Sequence, residues 1–168
     1  NISEVCYNIQ ATVDAKNYIP IDYKVTNTND SKAMGNMLRR VKTIYGHSNF
    51  TALYDKGYHT GSEIAYADFL DIETLVAIPA VASHAPDHDY DIEHFIYNQE
   101  NDYYICPQGQ KLKTNGRWYS KSRTASTIKV KHYKTKKCIT CPVFELCTKN
   151  KKGRLIERSQ FQKSIDDN

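Results

Sequence analysis

Residues 5 to 14, "VCYNIQATVD", alternate: Val5, Tyr7, Ile9, Ala11 and Val13 fall on one side, and Cys6, Asn8, Gln10, Thr12 and Asp14 on the other. A period of two is the mark of a strand with unlike faces. Residues 19 to 26 repeat it with Ile19, Ile21, Tyr23 and Val25, so the two segments predict a hairpin about "AKNY". Pro20 cannot donate to a ladder, which suits an edge position for the second strand. After the polar "TNTNDS" the period changes. Met34, Met37, Leu38, Val41, Ile44 and Tyr45 recur at helical spacing up to Gly46, predicting a helix over 31–45 with one buried face and an N-cap at Asp30 or Ser31. A buried strand at 50–54, a turn at Gly57, a second helix from about Ser62 to Leu70 and a short strand in "TLVAIP", residues 74–79, complete the series. The order strand, strand, helix, strand, helix, strand predicts an α/β layout with a mixed sheet.

Composition shifts at residue 80. "ASHAPDHDYDIEH" has little apolar periodicity and reads as a linker, its His84, His88 and His94 as solvated side chains. "FIY" and "YYIC" flank the turn-prone "NQEND" and predict a second hairpin. The net charge of +4 hides a division: residues 1–110 hold 7 Lys or Arg against 15 Asp or Glu, whereas residues 111–154 hold 14 basic residues against Glu145 alone. Such asymmetry points to a polyanion met by the second part, or else to a lysine-rich solvated surface. No apolar run approaches the roughly 20 residues that span a bilayer, and no leader pattern is visible, so a soluble cytoplasmic protein without a membrane partner is expected. The start at Asn1 and the polar close "KSIDDN" suggest an excerpt from a longer chain.

Two groups of residues carry candidate chemistry. Asp55 follows the greasy "FTALY" directly, and in α/β sheets functional groups gather beyond the carboxyl ends of strands; the plain alternative is a carboxylate capping the Gly57 turn. Cys106, Cys138, Cys141 and Cys147 include a C-x-x-C pair and have the ligand number of tetrahedral Zn²⁺. A redox or disulfide pair and unrelated thiols remain as alternatives, with His132 a reserve ligand and Cys6 a small strand residue. Between the cysteines, Lys111, Lys113, Arg117, Lys121, Arg123, Lys129, Lys131, Lys134, Lys136 and Lys137 stand among Trp118, Tyr119 and Tyr133, a mixture suited to phosphate contact with occasional base stacking.

"YNIQ", a hairpin, "TNTND", a helix, "LYDKGYHTGSEI" and "TLVAIP", followed by the cysteine segment, together resemble the DDE transposases of bacterial insertion sequences, in the branch with a cysteine-containing insertion. The resemblance implies a partial ribonuclease H-like core over 1–80, a basic zinc-ribbon-like insertion over 81–154 and an incomplete return to the core over 155–168. It implies Mg²⁺ (or Mn²⁺) chemistry on double-stranded DNA, at transposon ends and target, by a protein that is a homodimer when complete. Asp55 matches the second acid of the triad. Asp14 is a candidate for the first, but the family's topology places that acid on a strand preceding the visible pair. Glu157 lacks the context of the third acid, and Glu63 is better explained by a favourable helix dipole. A non-catalytic nucleic-acid-binding module, an inactive transposase derivative and a related nuclease without strand transfer are the alternatives.

Overall fold

The computed structural model describes residues 7–27, 29–80, 85–123 and 126–168, with the side chain of residue 123 excepted. Cys6 and His84 lie outside the described residues. The chain forms two compact units, residues 1–80 with 161–168, and residues 81–160.

In the first unit β1 (Asn8–Asp14) and β2 (Ile19–Thr26) form the antiparallel hairpin, with a register shift at Thr12/Val13. A 3-10 turn at Asp30–Lys32 leads into α1 (Met34–Tyr45). The helix ends where Gly46 adopts φ +73°, a left-handed conformation that suits glycine. β3 (Thr51–Tyr54), α2 (Gly61–Phe69) and β4 (Glu73–Val76) follow, and β3 and β4 pair in parallel, as expected of strands joined by a helix. Met34 and Leu38 of α1, Ile64 and Ala67 of α2, and Ile72 and Val76 form the buried core, against which Ile165 of α4 (Gln162–Asp167) also packs. Gly35 lets α1 approach α2, since a Cβ there would lie 2.5 Å from Tyr66 Cδ1. Its amide donates to Glu63 Oε2 at 2.7 Å, so Glu63 caps the start of α1 across the helix pair.

Several expectations need correction. Neither Asp30 nor Ser31 caps α1; Ala33 precedes it without a side-chain bond. β3 is not buried on both sides, because Leu53 is 69% exposed while Ala52 and Tyr54 face the core. In place of a single mixed sheet there are two two-stranded ones, and β1 and β3 share no ladder. Between them lies a cleft of about 390 Å³, lined by Ala11 to Asp14 on one side and Thr51 to Tyr54 on the other. The alternation of β1 and β2 is real, but its apolar side faces outward: Ile9, Val13, Tyr23 and Val25 are exposed, whereas Gln10 is buried.

The second unit is built from short strands. Two 3-10 turns, at His88–Tyr90 and Ile92–His94, precede β5 (Ile96–Asn98), β6 (Tyr103–Ile105) and β7 (Lys111–Lys113), which form one antiparallel sheet. β8 (Trp118–Arg123), β9 (Ser126–Tyr133) and β10 (Ile156–Ser159) form another with β9 central. A bridge between Lys113 and Lys134 joins them. Phe95, Tyr104, Leu112, Tyr133 and Ile156 make the core. α3 (Phe144–Cys147) is a single turn that follows Cys141, ends on Cys147 and precedes β10. Residues 156–159 thus pair with β9 rather than returning at once to the first unit.

Candidate functional site

The carboxyl ends of β2, β3 and β4 and the start of β1 share one rim of the first unit. Asp55 stands there immediately after β3, exposed, with Oδ1 accepting from the Gly57 amide at 2.7 Å as the cap of a 3-10 turn, Lys56–Tyr58. Capping and exposure coexist, because one oxygen suffices for the turn.

A second carboxylate, Asp30, which the sequence pattern offered as a helix cap and not as a site residue, stands beside it. Asp30 Oδ1 accepts from Asn8 Nδ2 and Gln10 Nε2, both at 2.6 Å. The Tyr58 hydroxyl donates to Gln10 Oε1, and its ring packs on Tyr54 at 4.8 Å between centroids. A Cβ on Gly57 would lie 3.0 Å from Asp55 Oδ1 and 3.3 Å from Asp30 Oδ2, so the two acids flank that glycine. Burial, then the charges of Asp30 and Asp55, raise the Tyr58 pKa, which keeps the phenol protonated as a donor. Burial likewise lifts Tyr54 to about 12. The inward polar side of β1 is thereby explained: Asn8 and Gln10 orient Asp30. The only sequence signal was "TNTND", read as punctuation before a helix.

Asp14 is not brought to this rim. It lies at the opposite end of β1, roughly 20 Å along a strand at about 3.3 Å per residue, and accepts from Asn17 Nδ2 and the Lys16 amide in the hairpin turn. Those bonds hold its pKa below the ordinary carboxylate value. A larger cleft of about 540 Å³, bordered by Asp68, Asp71 and Glu73, is likewise at the far end of β3 from Asp55. Glu73 is held there by the Thr51 hydroxyl.

In the second unit the four cysteines, all free thiols, line one small apolar cavity with Phe95, Leu112 and Phe144. Cys106 sits in a tight turn: Gly109 donates its amide to the Cys106 carbonyl at 2.8 Å with φ +69°, and the Gln110 amide reaches Cys106 Sγ at 3.3 Å. Cys138 and Cys141 close a second turn, Cys141 N donating to Cys138 O at 3.1 Å. Gly153, at φ +92°, packs so closely that a Cβ would lie 2.7 Å from that of Cys138. Burial pushes the Cys147 thiol up, and the other three cysteines add to the rise against the opposing charge of Arg154. His132 is not in this group; it stacks on Tyr119 at 4.4 Å between ring centroids. Among the described residues no three His, Cys, Asp or Glu side chains are arranged as they would be around a metal ion. The thiols share a cavity without forming a ligand shell.

The basic residues fall in different places. Lys111 and Lys113 lie on the outer side of β7, Lys111 over the Tyr103 ring at 4.6 Å. Arg117, Lys134, Lys136 and Lys137 are exposed. Lys121 is paired with Glu157, a surface residue as expected. Arg123 ends β8, and its side chain lies outside the described residues. Trp118 is 48% exposed. Among the described residues no helix is long and apolar enough to cross a membrane.

No curated protein and no solved structure matches this chain. Residues 105–167 match the family model described as "Transposase DDE domain", a span that contains all four cavity cysteines and α4 but not Asp55. The match agrees with the resemblance to DDE transposases over the cysteine segment and does not reach "DKGY".

Proposed function

We propose that this chain is part of a transposase that cleaves DNA with divalent metal and joins the freed 3′-hydroxyl to target DNA, Asp55 being one of its metal-binding carboxylates. The observation that carries the reading is the placement of Asp55: exposed, at the carboxyl end of a parallel strand, with one oxygen held by the turn and Asp30 alongside. Hard cations take oxygen ligands, so the donor chemistry fits Mg²⁺ or Mn²⁺, although the described residues supply only part of a set. When bound, such ions activate a hydroxyl nucleophile and offset charge on the leaving oxygen. The chain's own residues hold the Asp55 backbone on β3 and keep Asp30 aimed across Gly57. In a ribonuclease H-like core an acid-bearing strand lies beside the one that ends in Asp55. The cleft between β1 and β3 supports that reading, because among the described residues neither bordering edge has a ladder partner there.

In the second unit the four thiols suit structural Zn²⁺ by number and softness and line one cavity, from which they would draw together to hold the ion, and the hydrogen bond from the Gln110 amide to Cys106 Sγ is of the kind that steadies a thiolate. Zinc there would hold together a segment whose hydrophobic core is small. The basic residues around it would contact DNA phosphates, and the complete protein would work as a dimer in the cytoplasm.

Replacing Asp55 with Asn in the complete enzyme tests the proposal: cleavage of end DNA should fall at least a thousandfold while DNA binding stays within about threefold, on the order expected for loss of a metal-bound carboxylate. Cleavage retained by Asp55→Asn would remove Asp55 from the chemistry. The concentration of 14 basic residues against Glu145 alone over 111–154 favours a second reading, a nucleic-acid-binding module without catalysis, for which the wild-type protein would bind and never cut. A nuclease without strand transfer would cut but fail to join pre-cleaved ends.

A further inference from the structure

The register of the second unit sorts its aromatic and basic residues onto two sides. In an antiparallel ladder directly paired residues share a side, and successive residues alternate. Trp118 pairs with Lys131, which pairs with Arg158; Ser120 pairs with Lys129. These five stand together. Tyr119, Lys121, His132 and Glu157 belong to the other side.

The two sides are finished differently. On the second, Tyr119, 36% exposed, is stacked on His132 at an 8° interplanar angle and Lys121 is held by Glu157, so one face of the ring is covered and the charge is matched. On the first, Trp118 remains 48% exposed, with the Lys131 ammonium 5.3 Å from its ring centroid. Lys131 is fixed there by Asp102 at 2.7 Å. The Arg158 guanidinium lies over Tyr97 at 3.8 Å. Lys129 is exposed, next to the exposed Ser120. Among the described residues no carboxylate pairs with Lys129, and Asp102 is the acid that holds Lys131.

We propose that the side of β8 and β9 bearing Trp118 is a platform for unpaired nucleotides, with a base stacked on Trp118 and the adjoining phosphate held by Lys129 and Ser120. The inference rests on the reading of DNA as partner and specifies how this unit meets it. A half-exposed indole, steadied by a neighbouring cation, offers a flat face. Duplex bases already use theirs on one another, so a single-stranded or splayed segment is the form that fits. The net positive charge of this side matches the phosphate backbone.

Trp118 is the sole tryptophan, so its fluorescence reports on this side alone. The full chain is titrated with an end-labelled single-stranded oligonucleotide and with the blunt duplex of the same sequence, following label anisotropy and tryptophan emission together. The single strand should bind about tenfold more tightly than the duplex and quench Trp118. Trp118→Leu should weaken single-strand binding by roughly five- to a hundredfold, the range for loss of one stacked base. Lys129→Gln should flatten the logarithmic salt dependence by about 0.7. Binding of the single strand with unchanged emission overturns the platform and leaves DNA as partner. Equal affinity and equal quenching with duplex overturns the requirement for an unpaired base. A loss with Tyr119→Leu as large as with Trp118→Leu moves the contact to the other side. If neither DNA form binds, the DNA reading fails, and the platform with it. The emission of the unaltered protein decides the matter even if a variant folds poorly.

Discussion

The two units solve the problem of a small core in opposite ways. In the first, α1 and α2 bury Met34, Leu38, Ile64 and Ile72 almost completely, yet Ile9, Val13, Tyr23, Val25 and Leu53 stand exposed on the strands. Its stability is concentrated in the helical layer. Among the described residues the core of the second unit holds five large side chains, with Val130 also buried, and the unit ties its strands through polar groups: Asp102 accepts from Lys131 and from the Tyr97 and Tyr133 hydroxyls, and four thiols face one cavity. The comparison teaches that apolar content alone does not report where a fold is held: the unit richer in exposed apolar residues also has the larger buried core.

The contrast can be broken at its strongest point first. If zinc holds the second unit, a strong chelator should release one metal ion per chain and unfold that unit, with loss of the near-ultraviolet circular dichroism of Trp118 and the surrounding tyrosines. The helical far-ultraviolet signal of the first unit should persist. A melt unaffected by chelation, with all four thiols titratable before and after, would dismiss the metal. Next in size, Leu38→Ala removes a side chain that is 1% exposed and should cost the first unit about 3 kcal/mol in urea unfolding.

Asp102→Asn probes the polar tie. Asp102 adopts φ +50°, which Asn also tolerates, so the change removes charge with little backbone penalty. Burial raises the Asp102 pKa, but the bonds from Lys131, Tyr133 and Tyr97 outweigh it, and the folded value lies below the ordinary one. Its contribution is therefore complete above the ordinary aspartate value of about 3.9 and is lost as pH falls through the lower folded value. Because both partners of the ion pair are partly exposed, the variant should lose only about 1 kcal/mol at neutral pH. Its deficit relative to wild type should close as pH falls through the lowered folded value; a deficit independent of pH would show that the charge is not what matters. Smallest of all, Ile9→Thr should shift stability by no more than about 0.5 kcal/mol, since the side chain is exposed. A cost above about 1 kcal/mol would reveal a cover on that side in solution.

Legibility in the sequence followed the strength of the periodic signal. The hairpin, α1, β3, α2 and β4 were readable within a few residues because alternation at Ile9 to Val13 and helical spacing at Met34 to Val41 are strong. Alternation identifies a strand, however, without saying which side is inside, and here Gln10 is buried to hold Asp30 and Tyr58. β8, β9 and β10 went unrecognised because Lys, Ser, Thr and Arg occupy positions where apolar residues would mark the period. Asp55 was legible from its place after β3. Asp30 was not, since its nearness to Gly57 depends on contacts between segments more than 20 residues apart in sequence. The gathering of the four cysteines was signalled by their spacing; the separation of Trp118 from Tyr119 required the strand register.

Among the described residues no strand pairs with the facing edges of β1 and β3, which has a practical consequence. Each lip offers a row of main-chain donors and acceptors, and extended backbone from any source can satisfy both lips at once. A preparation of this chain by itself should therefore grow stickier with concentration, and short β-forming peptides added in excess should slow that self-association.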